Sequence, residues 1–444
     1  MNRRQLLAGS AVGLAGLTGL PRATAQTTSG KRLIVVLIEG GWDPTYCLDP
    51  KWGNDTIDGP EDDINGLAGT TEDVVTLGGI TFAHNESKRR AVREFFEGVP
   101  EQDGAAIAGQ GPRHTRCHVV NGIDAGSIAH DPCRARMLTG TFDMTRPDLA
   151  VIVGAAHGSN LPLGSLDLSG WSFSGSLAAT TGRVGFQNQL KATVDPTAQF
   201  YAPLDAGFTY PIHEVAEEDD DAIVAFLQTR AEALRALRGE APAGPNHARI
   251  DDILASIDRA GRFRAQGADL LKDLRIGAKS DFADQVIIAA DMLEGGVCWS
   301  AFLDTRVEWD THEINMVQHD NYDEAFTHLT TLYDELVRRG LFEDTIVAVI
   351  SEMGRTPKLN LSGGKDHWAH TSALFFGGGI RGNTTTGATN ESMTSMPVNL
   401  ETGELDENGE IIHYYNLVAG ILDLCEVDPQ AWLPDIAPYR GLRA

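Results

Sequence analysis

The stretch Asp344–Gly379, DTIVAVISEMGRTPKLNLSGGKDHWAHTSALFFGGG, decides how the chain is read. Its β-branched run Ile346-Val347-Ala348-Val349-Ile350 is apolar on both alternating faces, the pattern of a strand in a sheet covered on both sides. Polar residues follow at once: Ser351, Glu352 and Arg355 leave the strand, Asp366, His367 and His370 come after a Gly-rich loop, and a second apolar strand begins at Ala373. Ionisable side chains packed between two core strands call for a site at a strand end.

The rest of the chain repeats the pattern. Leu33 to Ile38 is an all-apolar strand that breaks into Glu39-Gly40-Gly41, and CHVVNGI from Cys117 is a strand followed by the loop and helix DAGSIAHDPCRARMLTG, ending near Gly140. LAVIVGA from Leu149 and VCWSAFL read as further strands. Helices are expected over Ser87–Glu97, DFADQVIIAADMLEG, DNYDEAFTHLTTLYDELVRRG and NLVAGILDLC, and Asn408-Gly409 is a hairpin turn signal. Strand, polar loop, helix is the unit of a doubly wound, mostly parallel α/β sheet with helices on both faces. From Ile212 to Leu274 the pattern turns helical, with acids at the start of the first helix and arginines at its end, as the macrodipole favours. This predicts one domain, 26–444, with a helical insertion near 212–280.

Composition narrows the function. At 444 residues and 42% hydrophobic content the chain can bury one large core. Its formal charge of −26 would repel a phosphate backbone, which excludes nucleic acid as a partner. The acidic loop between Asn54 and Asp73 lacks the spacing of a calcium loop and reads as solvated surface. The five cysteines form no C-x-x-C pair and read as buried thiols, with a bridge between Cys47 and Cys133 as the alternative for an exported protein.

Export is suggested by the N-terminus. Arg3-Arg4 precede a weakly apolar Gly/Ala/Leu stretch and then Ala23-Thr24-Ala25, small at the positions a signal peptidase requires. Residues 1–25 resemble a twin-arginine signal, which implies a periplasmic or extracellular protein folded before export, with its cofactor loaded in the cytoplasm. The apolar stretch is shorter than the about 20 residues a spanning helix takes, so no membrane span is expected in the mature chain.

Four strand ends carry polar clusters: Glu39 with Asp43; His130 with Asp131; Asp310 with His312 in VEWDTHE; and Glu352, Arg355, Asp366, His367 and His370. In a mostly parallel sheet the carboxyl ends lie along one edge, so these loops converge. Carboxylates and imidazoles gathered without cations would repel one another, and a divalent ion, zinc or manganese for this donor mix, removes that cost. Each piece also has a purely structural reading: WDTH as a capped turn, Asp366-His367 as a loop-fixing pair, Arg355 as a bridge between carboxylates.

VEWDTHE, VISEMGRTP and GGKDHWAH followed by ALFFGGGIRG, behind such a leader, resemble an exported bacterial family of unknown function. Its members share W-D-T-H, S-E-F-G-R-T-P and D-H-[GW] signatures, within the alkaline phosphatase and sulfatase superfamily. The resemblance implies strand ends that hold one or two metals beside a Ser, Thr or formylglycine nucleophile. It maps Asp310, His312 and His367 to one metal site, Glu352 to the place of an Asp, and Asp43 (or Glu39) to the first-strand carboxylate. Two departures stand out. Met353 occupies the place of an expected His, and His130-Asp131 the place of the nucleophile, with Ser127 three residues earlier. Ser127, His130 or metal-activated water would then act. The expected function is an exported metal-dependent hydrolase for a small phosphate or sulfate ester, with Arg355 holding the anionic group and Glu352 a second ligand or base. The alternative is a catalytically inactive binding or assembly protein on the same scaffold, its protein partner unidentified. The sequence further predicts a mature chain beginning near Gln26, read by N-terminal sequencing of exported protein; export that survives replacement of both Arg3 and Arg4 by lysine would contradict the twin-arginine route.

Overall fold

Strand β1 (Arg32–Ile38) lies at the centre of the sheet because every second side chain belongs to a different core. Ile34, Val36 and Ile38 enter one apolar cluster and Leu33, Val35 and Leu37 the other. Such a strand is stable only with helices on both faces. The computed structural model describes residues 30–51, 53–60, 72–98, 112–183, 217–240, 244–267 and 280–444. The leader 1–25, part of the acidic loop (61–71) and the two ends of the helical segment (212–216 and 268–279) lie outside the described residues.

On one side of β1 run, in parallel, β7 (Ser300–Asp304), β5 (Ser165–Asp167) and β6 (Thr181–Arg183). On the other side β8 (Thr345–Ser351) is parallel to β1, and β11 (His370–Gly377) is antiparallel to both β8 and β4 (Cys117–Asp124). The short β12 (Thr384–Thr386) and β13 (Ile412–His413) pair in parallel with β4, completing nine strands among the described residues. Two small ribbons stand apart, β2 (Glu72–Leu77) with β3 (Ile80–Asn85) and β9 (Gly354–Arg355) with β10 (His367–Trp368).

Helices α1 (Arg90–Glu97), α6 (Phe282–Glu294) and α7 (Val317–Arg338) cover one face, contributing Phe95, Val286 and Phe326 to its core. Helices α2 (His130–Thr139), α3 (Leu149–His157) and α8 (Tyr414–Leu424) cover the other, with Met137, Val153 and Leu417. The predicted helical insertion contains α4 (Glu217–Glu240) and α5 (Pro245–Gly267), which pack on each other. No described helix is long and apolar enough to cross a membrane.

One element departs from the sequence reading. LAVIVGA is α3, not a strand: periodicity cannot separate a buried helix from a buried strand in so short an apolar run. Asp148 decides it, accepting the Val151 N–H as an N-cap while its second oxygen takes the Ser172 hydroxyl and the Phe173 N–H. Gly154 lets the helix approach the sheet, since a Cβ there would stand 2.5 Å from the Gly164 carbonyl oxygen. Cys47 and Cys133 are both free and sit in cores on opposite faces, so they do not pair.

The carboxyl ends of β1, β4, β7 and β8 and the start of β11 share one edge of the sheet. There Gly40 and Gly41 turn β1 sharply, with φ of 105° and 97°. A Cβ on Gly40 would meet the Asp310 nitrogen at 2.7 Å, so this turn must be bare for the Asp310 loop to dock. Beyond it Asp43 is fully buried, accepting from Thr45 N–H and Oγ1–H and from Asn315 Nδ2–H, and pairing with the equally buried Lys365 at 2.7 Å. Removing one partner of such a pair strands a buried charge. Lys365→Met should therefore destabilise the protein by about 3–5 kcal/mol in urea unfolding, with part of the loss restored by adding Asp43→Asn. A single-mutant loss below about 1 kcal/mol would show that the pair does not anchor this edge.

Candidate metal centre

The loop after β7 presents Asp310. Trp309 fixes it from below, buried and donating its indole N–H to Thr305 Oγ1 at 2.9 Å, while Thr311 bonds Asn315 and Gln318 donates to the Trp309 carbonyl. The capped-turn reading of WDTH does not hold: Thr311 Oγ1 donates to the Asn315 side chain, and α7 begins at Val317 behind Met316 with no side-chain cap. Asp310 Oδ1 accepts from Arg355 Nη2 at 2.6 Å. It also lies 3.0 Å from His367 Nε2 and 3.1 Å from His312 Nε2, and Asp310 Oδ2 lies 3.5 Å from His130 Nε2.

The far nitrogen of each imidazole is anchored. His130 Nδ1 faces Glu352 Oε1 at 2.6 Å, His367 Nδ1 the Ile128 carbonyl at 2.7 Å, and His312 Nδ1 Asp366 Oδ1 at 3.0 Å. All three partners only accept, so each Nδ1 carries a proton held from behind, and each Nε2 faces Asp310, where an ion would take the nitrogen lone pair in place of any proton there. His312 Nε2 and His367 Nε2 approach to 2.9 Å. Facing lone pairs repel unless a proton or a cation lies between them. His130, Asp310 and His367 offer donor atoms all within 4.8 Å of one another, and His312 flanks them. Imidazoles oriented from behind by carboxylates or carbonyls, plus one carboxylate, form a donor set suited to zinc or manganese.

The electrostatics agree. Hydrogen bonds to Asp310 and Glu352 push His130 up to about 10. Burial alone would raise Asp310, but hydrogen bonds from His130, Arg355 and His367 hold it well below the ordinary carboxylate range. Without an ion, the cluster keeps itself together with a proton on His130.

Glu352 is completely buried behind His130, its Oε1 also accepting the Gly40 N–H at 2.7 Å. Arg355 is buried too, donating to the Gly40, Gly41 and Lys365 carbonyls as well as to Asp310, so it fixes the carboxylate from behind. Asp43 is committed to Lys365, as described, and does not face the cluster. Ser127 Oγ accepts the Ala129 N–H, stabilising the turn into α2, and Asp131 is exposed beside Arg134. Met353 is packed in the apolar core beneath Gly41, away from the polar edge. His370 Nδ1 bonds Ser395 Oγ at 2.7 Å, and burial lowers its pKa.

The sequence reading passed over Arg134, four residues after His130 and so on the same face of α2. Its guanidinium lies 3.4 Å from Glu352 Oε2 and 3.4 Å from Glu39 Oε1, stacked 3.9 Å from the Trp171 ring centroid. Burial and the neighbouring Glu352 raise the Glu39 pKa. The i, i+4 spacing of His130 and Arg134 behind a strand was the signal that could have revealed it.

Comparisons with solved structures return distant likenesses. Ps i-CgsB in complex with k-i-k-neocarrahexaose aligns at 8% identity over 92% of this chain and 75% of that one, with a TM-score of 0.40. A sulfatase from Pseudoalteromonas sp. aligns at 11% identity over 100% and 78%, TM-score 0.36. The phosphonate monoester hydrolase of Agrobacterium radiobacter aligns at 10% over 93% and 79%, TM-score 0.32. No curated protein matches the chain. The family model described as "Protein of unknown function (DUF1501)" matches residues 30–436, and the chain belongs to that family.

Proposed function

We propose that the protein is an exported, metal-dependent hydrolase acting on a small phosphate or sulfate ester. One observation carries the reading: three imidazoles, each with its Nδ1 proton held by an acceptor, aim their Nε2 atoms at one carboxylate. Asp310, His130, His312 and His367 would hold the ion. A divalent ion there supplies a Lewis acid for the ester oxygen and lowers the pKa of water.

The chain's own groups prepare that position. Arg355 fixes Asp310 in one rotamer through a charge-assisted bond and holds the Gly40-Gly41 turn against it. Glu352 holds the Nδ1 proton of His130, so that the proton an ion displaces is the one on Nε2. The side chains of His130, Asp310 and His312 are 32%, 30% and 41% exposed, which leaves the cluster open to a ligand from solvent. The anionic head of the ester would bind at this open side.

A second reading has its own support. The Ser127 hydroxyl already serves a turn and Arg355 is buried, so neither is poised toward an incoming ester. An ion held without turnover, in a binding or assembly protein, fits those two facts.

Protein purified without chelator should carry about one zinc or manganese ion per chain and turn over generic phosphate or sulfate esters slowly. Asp310→Ala should lower metal affinity at least about ten-fold and abolish the melting-temperature difference that chelator produces in the wild type. One bound ion with no turnover selects the second reading; equal chelator effects in wild type and variant would refute the ligand role of Asp310.

Metal binding must also displace the proton that His130 holds up to about pH 10. Affinity measured by competition titration should therefore rise by about ten-fold per pH unit between pH 7 and 9, since one proton is released. An affinity flat over that range would show that His130 does not bind the ion.

A further inference from the structure

Glu39 and Glu352 follow directly on Ile38 and Ser351, which are register partners on the adjacent parallel strands β1 and β8. The two carboxylates therefore leave the sheet side by side. Glu352 Oε1 is engaged by Gly40 N–H and His130, but Oε2 is buried and accepts no hydrogen bond. Two neighbouring acids, one of them inaccessible to water, need a positive charge between them.

Arg134 supplies it. Its Nε stands 3.4 Å from Glu352 Oε2 and its Nη2 3.4 Å from Glu39 Oε1. The guanidinium is almost wholly buried and pinned over Trp171, so its place is set by packing from α2. Arg134 and His130 lie one helical turn apart and meet the same glutamate, one at each oxygen.

We infer that the Arg134 guanidinium is a built-in cation occupying the Glu39–Glu352 carboxylate pair, which limits this edge of the sheet to one divalent ion and converts to a second, oxygen-rich metal site when the charge is removed. Arg134 is a positioning residue: its guanidinium stands against Glu352 Oε2, and Glu352 in turn orients His130. The inference rests on the metal reading above for the first ion alone. A carboxylate pair of this kind favours a hard ion such as manganese or magnesium over a soft one.

The test is metal stoichiometry after equilibration with manganese and gel filtration, in wild type, Arg134→Gln, Arg134→Lys and Arg134→Gln with Glu39→Gln. Glutamine keeps much of the packing on Trp171 and loses the charge. The expected counts are one, two, one and one. Arg134→Gln that unfolds without metal but folds when manganese is added also supports the inference, because the ion then replaces the guanidinium. No more ions in folded Arg134→Gln than in wild type, or failure to fold with and without manganese, overturns it. The outcomes separate from those of the functional reading: no ion in wild type and one in Arg134→Gln would sink the hydrolase proposal and keep this one, whereas one ion in both does the reverse.

Discussion

The contact between Arg355 and Asp310, 2.6 Å between Nη2 and Oδ1, joins everything that matters at this edge of the sheet. Arg355 lies just past β8, Asp310 in the loop after β7, and the same guanidinium donates to carbonyls in the turn after β1. One buried cation thereby locks three consecutive strand ends. Burying a guanidinium is costly unless its donors are satisfied, and here carbonyls and a carboxylate meet them. The geometry of the three imidazoles follows, since each points at an oxygen whose position Arg355 determines.

Around that contact the edge is layered by charge. Imidazole Nε2 atoms and Asp310 face outward, Glu352, Asp366 and the Ile128 carbonyl hold the rings from behind, Arg134 faces the buried Glu352, and the buried Arg355 holds Asp310. Asp43 and Lys365 form a further buried pair under the β1 loop. Alternating signs through successive layers keep each desolvated charge beside its opposite, the condition for burying so many. The outermost layer alone presents an excess of lone pairs, and it is also the layer open to solvent.

The architecture was largely legible in the residues. Ile346–Ile350 and Leu33–Ile38, apolar on both faces, gave away a sheet covered twice, and those segments are the adjacent central strands β8 and β1. LAVIVGA misled because a short apolar run fits helix and strand alike, and the deciding cap on Asp148 depends on Ser172 and Phe173, far along the chain. For the site, strand-end convergence pointed to Asp310, His312 and His367, which the fold brings together with His130. Convergence along an edge does not give depth, however. That Asp43 would sink onto Lys365, that Arg355 would face inward and that Glu352 would stand behind His130 depend on which side of a loop each residue leaves, and loop conformation is not written in a local pattern.

The most direct measurement of the account is X-ray absorption at the metal edge of protein loaded with zinc. Three imidazole ligands and one carboxylate oxygen, with Zn–N distances of about 2.0–2.1 Å and no sulfur scatterer, are the expected result. A spectrum with no more than one imidazole, or that of an ion coordinated only by oxygen, would contradict a centre built from His130, Asp310, His312 and His367.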